Sequence, residues 1–130
     1  MYYFAYGSNL NRKQMLERCP DSKPKFVATL PNYKLIFAGW SRRWRGGIAT
    51  VKRFTGEKVL GGIYEVSEQC LRQLDRHEGG YSRLKATVFD EDGEPIEVIT
   101  YIKSGQLEET VPSQEYLAII QQGYRDWGIV

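Results

Sequence analysis

A glycine and two small polar residues stand between a strand pattern and a helix pattern near the amino terminus. The aromatic run at residues 2–6 predicts a strand, Gly7, Ser8 and Asn9 interrupt it, and a helical pattern follows at once. Gly7 allows close backbone approach because it has no Cβ, and amides at a helix start favour an anion or a polarised carbonyl. The alternative is a tight strand-to-helix connection in which Ser8 and Asn9 are turn residues.

A second candidate for chemistry is Glu78, at the end of a helix predicted over residues 68–78. Cys70, Leu71 and Leu74 mark the apolar face of this helix, and the helical repeat extends that face to Glu78. Burial and the negative end of the helix dipole both raise the pKa of a carboxyl group, so that it can take and give a proton near neutrality. The alternative is a frayed last turn with Glu78 in water.

Other catalytic systems find little support in the sequence. His77 is the only histidine, and neither it nor the two cysteines, Cys19 and Cys70, has the spacing of a zinc site or of a nucleophile system. Two cysteines are too few for a disulfide scaffold, so we expect reduced structural thiols. There is no signal-peptide pattern and no long apolar run, which predicts a cytoplasmic protein that does not span a membrane.

The overall charge is close to balanced. The chain of 130 residues has a net charge of +2, from 18 basic and 16 acidic side chains. These values predict one globular domain over residues 1–130. The densest basic stretch, "WSRRWRGG" at residues 40–47, has the interleaved aromatic residues of some nucleic-acid-binding segments. No wider basic field surrounds it, so we expect no nucleic-acid partner and assign Trp44, Gly46 and Gly47 to the fold.

The remaining patterns predict the elements that must position these residues. Strand patterns occupy residues 2–6, 33–40, 47–53, 59–66, 84–90 and 96–103. The stretches "TGEK" and "DEDG" are typical of hairpin turns, and such short connections favour antiparallel pairing. Three helices are predicted to follow the N-cap residues Asn11, Ser67 and Ser113, and we expect the third to end before Gly123.

Four stretches, "YFAYGSNL", "WRGGIAT", "LDRHEGG" and "PSQEYLAII", occur in this order from about Tyr3 to Gly128. Together they make the sequence resemble the γ-glutamylcyclotransferases. The resemblance implies an α+β fold, a small mixed-sheet β-barrel flanked by helices, with a pocket at the barrel mouth. It also implies an enzyme that converts the γ-glutamyl group of a small molecule to 5-oxoproline and releases an amine or amino acid. No metal or organic cofactor is implied, and we expect a monomer or a homodimer.

The same resemblance implies roles for individual residues. Glu78 is the implied catalytic acid and base. The implied substrate-binding residues are Tyr3, Phe4, Ala5, Tyr6, Gly7, Ser8, Asn9, Tyr81 and Tyr116. Periodicity alone explains Tyr116 as a core residue on the third helix.

Three functions are compatible with these motifs. The first is γ-glutamylcyclotransferase activity. The second is a related enzyme that acts on a γ-glutamylamine, or that removes a γ-glutamyl group from a capped metabolite. The third is a non-catalytic protein that binds a small acidic ligand. Glu78 separates the third from the others, because a protein that only binds needs no carboxyl group on a buried helix face.

Overall fold

The computed structural model describes residues 1–77, 79–103, 105 and 107–129. Over these residues the chain forms five strands, three α-helices and one 3₁₀ turn. The strands are β1 (Tyr2–Ala5), β2 (Lys23–Ser41), β3 (Gly46–Glu65), β4 (Tyr81–Phe89) and β5 (Pro95–Lys103). The helices are α1 (Arg12–Arg18), α2 (Glu68–His77) and α3 (Gln114–Trp127), and the 3₁₀ turn, Ser8–Leu10, lies between β1 and α1.

The strands close into a barrel in the order β1, β3, β2, β4, β5. Among the described residues, the pairing of Tyr3 with Ile99, which joins β1 to β5, is parallel and the other strand pairs are antiparallel. The predicted α+β fold, a small mixed-sheet barrel flanked by helices, is therefore confirmed.

β2 is longer at its amino end than the sequence patterns predict. It begins at Lys23, whereas the predicted strand begins at Tyr33. Pro24 and Pro31 interrupt the alternating pattern in the first half of β2, because proline cannot donate to a neighbouring strand. The register of β2 against β3 shifts next to both prolines, so the strand continues past them through irregular pairing.

The predicted hairpin turn at "TGEK" is wrong, because residues 55–58 lie inside β3. β3 pairs with β2 on both sides of this stretch, at Arg53 and again at Val59. Opposite the stretch, Asn32 has the left-handed φ of 62° and accepts a hydrogen bond from the Gly56 amide at 3.2 Å. The stretch is therefore a bulge in one long ribbon, and the ribbon's own hairpin turn lies between Ser41 and Gly46.

The predicted turn at "DEDG" is confirmed and joins β4 to β5. The Gly93 amide donates to the Asp90 carbonyl at 3.0 Å, and Gly93 has a φ of 79°, which suits glycine. The predicted strands at 84–90 and 96–103 correspond to β4 and β5.

The three predicted N-caps are confirmed. The side chain of each cap residue accepts a hydrogen bond from a backbone N–H group in the first helical turn. Asn11 accepts from Gln14 at 3.0 Å, Ser67 accepts from Cys70 at 3.0 Å and Ser113 accepts from Tyr116 at 3.2 Å.

The predicted end of the third helix is wrong, because α3 continues through Gly123 to Trp127. A Cβ at Gly123 would lie 2.6 Å from the Asn11 nitrogen and 2.7 Å from the Leu10 Cβ. Gly123 therefore lets α3 pack directly against the 3₁₀ turn, and the helix ends instead at Gly128, whose φ is 68°.

β1 lies between two clusters of buried side chains because its residues alternate. Tyr3 and Ala5 belong to the cluster that includes residues of α1 and α2. Phe4 and Tyr6 belong to the cluster formed by the other strands and α3. Burial on both faces fixes the direction in which the chain enters the turn at Gly7.

The expectation of two free thiols is wrong. The structure joins Cys19 and Cys70 in a disulfide, with a Cα–Cα distance of 5.4 Å in the usual range for such bonds. Cys19 follows α1 and Cys70 lies in the first turn of α2, so the bond ties these two helices together. The cytoplasmic location stays a prediction.

No helix in the described part of the chain is both long enough and apolar enough to cross a membrane.

Candidate active site

The turn after β1 is shaped by two backbone hydrogen bonds. The Leu10 amide donates to the Gly7 carbonyl at 3.0 Å, and the Asn11 amide donates to the Ser8 carbonyl at 3.0 Å. In any helical turn the first amides have no acceptor within the turn itself. The predicted abrupt change from strand to turn to helix is thus present at residues 6–12.

This turn forms one wall of a small pocket, which we call the inner pocket. Its volume is about 30 Å³. The residues that line it are Tyr3, Tyr6, Gly7, Ser8, Asn9, Ala49, Tyr81, Tyr101 and Tyr116. Seven of the nine residues that the sequence suggests for substrate binding are in this set. The other two, Phe4 and Ala5, are fully buried and lie outside the lining.

The two tyrosines from distant elements are both anchored on the peptide groups of Ala49. The Tyr116 hydroxyl accepts a hydrogen bond from the Ala49 amide at 2.9 Å, and the Tyr81 hydroxyl donates to the Ala49 carbonyl. The Tyr116 ring also packs against Trp44, with ring centroids 5.2 Å apart, and is 4% exposed. Tyr116 is therefore both a core residue and a lining residue, and the two interpretations of it are compatible.

The side chains of the turn are fixed by α1. Gln14 donates from Nε2 to the Ser8 hydroxyl at 2.8 Å and to the Asn9 side-chain oxygen at 3.1 Å. The Arg18 guanidinium donates to the same Asn9 oxygen at 3.0 Å. Asn9 in turn donates from Nδ2 to the Tyr3 hydroxyl at 3.0 Å, so the polar wall of the inner pocket is one hydrogen-bonded group.

Tyr101 connects the inner pocket to α2. Its carbonyl accepts a hydrogen bond from the Tyr6 hydroxyl at 2.6 Å, and its own hydroxyl donates to Asp75 of α2 at 2.6 Å. Hydrogen bonds from Arg83 hold the pKa of Asp75 below its usual value, while burial raises the pKa of the Tyr101 hydroxyl. The last turn of α2 is therefore anchored to β4 and β5.

A larger depression, which we call the outer cleft, continues from the inner pocket. Its volume is about 340 Å³, and it shares Ser8, Tyr81 and Tyr116 with the inner pocket. The other residues that line it are Arg18, Trp40, Ser41, Arg43, Trp44, Ile48, Arg76, His77, Gly79 and Lys103. The shared residues make the two volumes parts of one opening.

Glu78 lies outside the described residues, so its predicted place in the same pocket as residues 6–9 stays a prediction. The residues on either side of it in the sequence, His77 and Gly79, both line the outer cleft. The pKa of His77 is lowered, first by burial and then by the positive charges of Arg18 and Arg43.

Sequence reasoning missed Tyr101, Ala49 and the basic side chains of the outer cleft. Tyr101 lies in a strand that was predicted, but only closure of the barrel brings that strand beside β1. The stretch "WSRRWRGG" did give a signal for Arg43 and Trp44. By itself this stretch indicates only a nucleic-acid-binding segment or a part of the fold, because Arg18, Arg76 and Lys103 are far from it in sequence.

One group of metal-ligating residue types occurs in the described part of the chain. It consists of Cys19, Asp21 and Cys70, whose ligand atoms lie within 4.8 Å of one another. Both sulfur atoms are used in the disulfide, and none of the three residues lines the inner pocket or the outer cleft.

Comparison with known proteins places these features in a family context. A family model described as "Gamma-glutamyl cyclotransferase, AIG2-like" matches residues 3–124. Proteins named gamma-glutamylcyclotransferase from Bos taurus and Homo sapiens are each 33% identical to this chain over 135 residues, covering 98% of this chain and 71% of theirs. A solved structure titled "Gamma-glutamyl cyclotransferase" superimposes with a TM-score of 0.94 at 31% identity, covering 99% of this chain and 80% of that one.

Proposed function

Because the chain belongs to the gamma-glutamyl cyclotransferase, AIG2-like family, we propose that it is a γ-glutamylcyclotransferase. The reaction converts the γ-glutamyl group of a small molecule to 5-oxoproline and releases the attached amino acid or amine. The observation that carries this proposal is the inner pocket, in which the turn at residues 7–9 meets Tyr81 and Tyr116 within the family's fold.

The reaction needs one bond to form and one to break within the same substrate. The α-amine of the γ-glutamyl group attacks its own γ-carbonyl carbon, and the bond from that carbon to the leaving nitrogen then breaks. Because the attack is intramolecular, holding the substrate in a bent conformation removes much of the barrier. The hydrogen-bonded walls of the inner pocket, together with the adjoining part of the outer cleft, are suited to this task.

Protons must move in both halves of the reaction. The α-amine begins as an ammonium group and loses a proton before it attacks, and the leaving nitrogen gains a proton as it departs. One carboxyl group with a raised pKa can perform both transfers. Glu78 is the proposed group, and the position of its neighbours His77 and Gly79 in the outer cleft supports this assignment.

The tetrahedral intermediate and the α-carboxylate both carry negative charge that the site must stabilise. Backbone amides in the turn at residues 7–9 are the proposed donors, since preorganised N–H groups stabilise such an oxyanion. A Cβ at Gly7 would lie 3.1 Å from the Ala49 Cβ and 3.8 Å from the Tyr116 hydroxyl oxygen, so glycine keeps this wall of the pocket open.

The test is a panel of substrates with one readout. Purified protein is incubated with γ-glutamyl dipeptides, γ-glutamyl amines and glutathione, and 5-oxoproline is measured by mass spectrometry. We expect 5-oxoproline from at least one γ-glutamyl amino acid. Product from the amines alone would favour a γ-glutamylamine cyclotransferase, and no product from any compound would favour a protein that only binds.

A further inference from the structure

The charged side chains that line the outer cleft have one sign. Among the described lining residues, those that carry a full charge are the basic residues Arg18, Arg43, Arg76 and Lys103. The whole chain has 18 basic and 16 acidic residues, so this grouping is a local separation of charge and does not follow from composition. Even with the proposed acid and base Glu78 added, positive charges outnumber negative ones.

Within the described part of the chain, three of these cations have no carboxylate partner. The ion pairs there join Lys25 to Glu65 and join Arg83 to Glu68 and Asp75. Arg43 instead lies over the Trp44 ring at 4.9 Å, and Lys103 lies over the Tyr81 ring at 5.5 Å. Arg76 is exposed at the last turn of α2.

These charges come from four separate parts of the fold. Arg18 ends α1, Arg43 lies in the turn between β2 and β3, Arg76 is near the end of α2, and Lys103 ends β5. Like charges that converge on one cleft repel one another, and a bound anion relieves that repulsion. An arginine can also bind a carboxylate through two parallel hydrogen bonds.

The cleft lies where the leaving group of the proposed reaction must extend. The inner pocket has room for only part of the γ-glutamyl group, so the rest of that group would lie at the three residues shared with the outer cleft, and the leaving group would extend into the cleft. One α-carboxylate needs no more than one or two of the cations. The remaining cations therefore indicate a leaving group that carries a second negative charge.

We propose that this enzyme prefers γ-glutamyl compounds whose leaving group is a dicarboxylic amino acid, such as glutamate or aspartate. The preference rests on the proposed function, since it concerns the second half of the same substrate. Arg43 and Arg76 are the specificity residues for the second carboxylate. A neutral amine leaves Arg43, Arg76 and Lys103 without an anion to bind, and a cationic amine adds to the repulsion.

The first experiment compares two substrates of nearly equal size. γ-Glutamylglutamate and γ-glutamylglutamine differ by one negative charge on the leaving group. We expect kcat/KM for the first to exceed that for the second by more than about threefold at low salt, and we expect the ratio to fall as salt is added, because salt screens exposed charges. A smaller ratio, or one that salt does not lower, overturns the proposal.

The second experiment changes the cleft. Arg43→Gln combined with Arg76→Gln should bring the ratio of the two kcat/KM values close to one. Arg42→Gln is the matched control, because Arg42 is the exposed neighbour of Arg43 and does not line the cleft. A merely structural effect would lower both rates and leave the ratio unchanged, and that result in the double variant overturns the proposal.

Calorimetric binding of the same two compounds separates this inference from the proposed function. Turnover of both compounds without a preference removes the inference and leaves the proposed function intact. Tighter binding of γ-glutamylglutamate without any 5-oxoproline removes the proposed function and keeps the charge recognition. If the protein neither binds nor turns over either compound, both the inference and the proposed function are removed.

Discussion

The inner pocket and the outer cleft of this enzyme are built by different means. In the inner pocket, side chains are fixed by hydrogen bonds to the backbone, as Tyr6 is to Tyr101 and Tyr116 is to Ala49. In the outer cleft, long cationic side chains lie beside aromatic rings, and Trp40 is 68% exposed. Rigid walls suit the part of the substrate that never changes, and exposed charges suit a part that varies.

The same difference predicts how substitutions will behave. Removing a group from the inner pocket leaves a buried partner without its hydrogen bond, which costs stability as well as turnover. Removing a charge from the outer cleft leaves no buried group without a partner, because the cleft is open to water. Such a change should therefore alter selectivity with little effect on folding. Each prediction below tests one side of this division.

The largest effect is expected for Glu78→Gln. Glutamine has nearly the same size but cannot take a proton from the ammonium group or return one to the leaving amine. General acid–base catalysis is worth roughly 10² to 10⁴ in rate, and one group here serves two steps, so the loss in kcat should be near the upper value. Steady-state production of 5-oxoproline measures it.

Glu68→Gln is the control for that substitution. Glu68 lies in the first turn of α2 and pairs with Arg83 at 3.1 Å on an exposed surface, so its loss should leave turnover unchanged. If the folded Glu78→Gln protein turns over within about tenfold of the wild type, only about 1.4 kcal/mol of barrier separates them, and Glu78 has no part in proton transfer.

A smaller but still large effect is expected for Gly7→Val. Even a single Cβ at position 7 would lie 3.1 Å from the Ala49 Cβ, and the branched valine adds two further methyl groups. A shift of the turn by about 1 Å can cost roughly 10²-fold in rate, and overpacking costs about 1–3 kcal/mol of stability. Turnover and thermal melting of Gly7→Ala and Gly7→Val should show a graded loss. Wild-type activity in a folded Gly7→Val protein would mean that the turn only connects β1 to α1.

Tyr116→Phe should lower stability and turnover together. The change removes the acceptor of the buried Ala49 amide, and an unsatisfied buried donor costs about 1–3 kcal/mol. Thermal melting measures the stability, and kcat/KM should fall by a similar factor for γ-glutamylglutamate and γ-glutamylglutamine. Tyr33→Phe is the control, since the Tyr33 ring lies near Arg53, outside both cavities. A change in the ratio of the two substrates would contradict the division between the pocket and the cleft.

The smallest effect concerns the pKa of His77, which is lowered by burial and by Arg18 and Arg43. His77 is the only histidine, so its imidazole signal can be followed by NMR without assignment. The pKa of His77 should rise in Arg43→Gln and should stay unchanged in Arg42→Gln. It should also rise when a dicarboxylate ligand binds to the protein. A wild-type pKa above the usual value of about 6.5 would contradict the proposed positive field.

The lowered pKa of His77 also predicts how the stability of the protein depends on pH. Because the folded-state pKa of His77 lies below the unfolded value, the folded state binds fewer protons. The stability that this shift contributes is therefore present above about pH 6.5 and is lost as the pH falls through the folded-state pKa. His77→Gln should weaken that dependence in melting curves between about pH 7.5 and pH 5.5.

The local parts of the structure were predictable from the sequence, and the parts that form only when the barrel closes were not. Asn11, Ser67 and Ser113 cap their helices because capping involves residues that are three apart in sequence. The turn at residues 7–9 was recognised for the same reason. The bulge at Gly56 was not, since its partner Asn32 belongs to another strand.

The pocket and cleft show the same limit. The family motifs supplied seven lining residues, but Tyr101 reaches the pocket only because β5 pairs with β1. The cations of the outer cleft come from four separate parts of the fold, so no single stretch of the sequence shows that they lie together. The disulfide joins residues 51 positions apart, which no spacing rule for two cysteines anticipates.

The anchoring of Tyr81 and Tyr116 on Ala49 has a consequence for how this pocket can evolve. Both hydroxyl groups bind main-chain atoms of residue 49, and every amino acid type offers that carbonyl, while every type except proline offers the amide. The hydrogen bonds to the two tyrosines therefore do not depend on which side chain stands at position 49. A Cβ at position 7 would lie 3.1 Å from the Ala49 Cβ, so the two positions can exchange volume, and Gly7→Ala should be better tolerated beside Ala49→Gly. Such a pair gives mutation a route to reshape the pocket while its anchors stay in place.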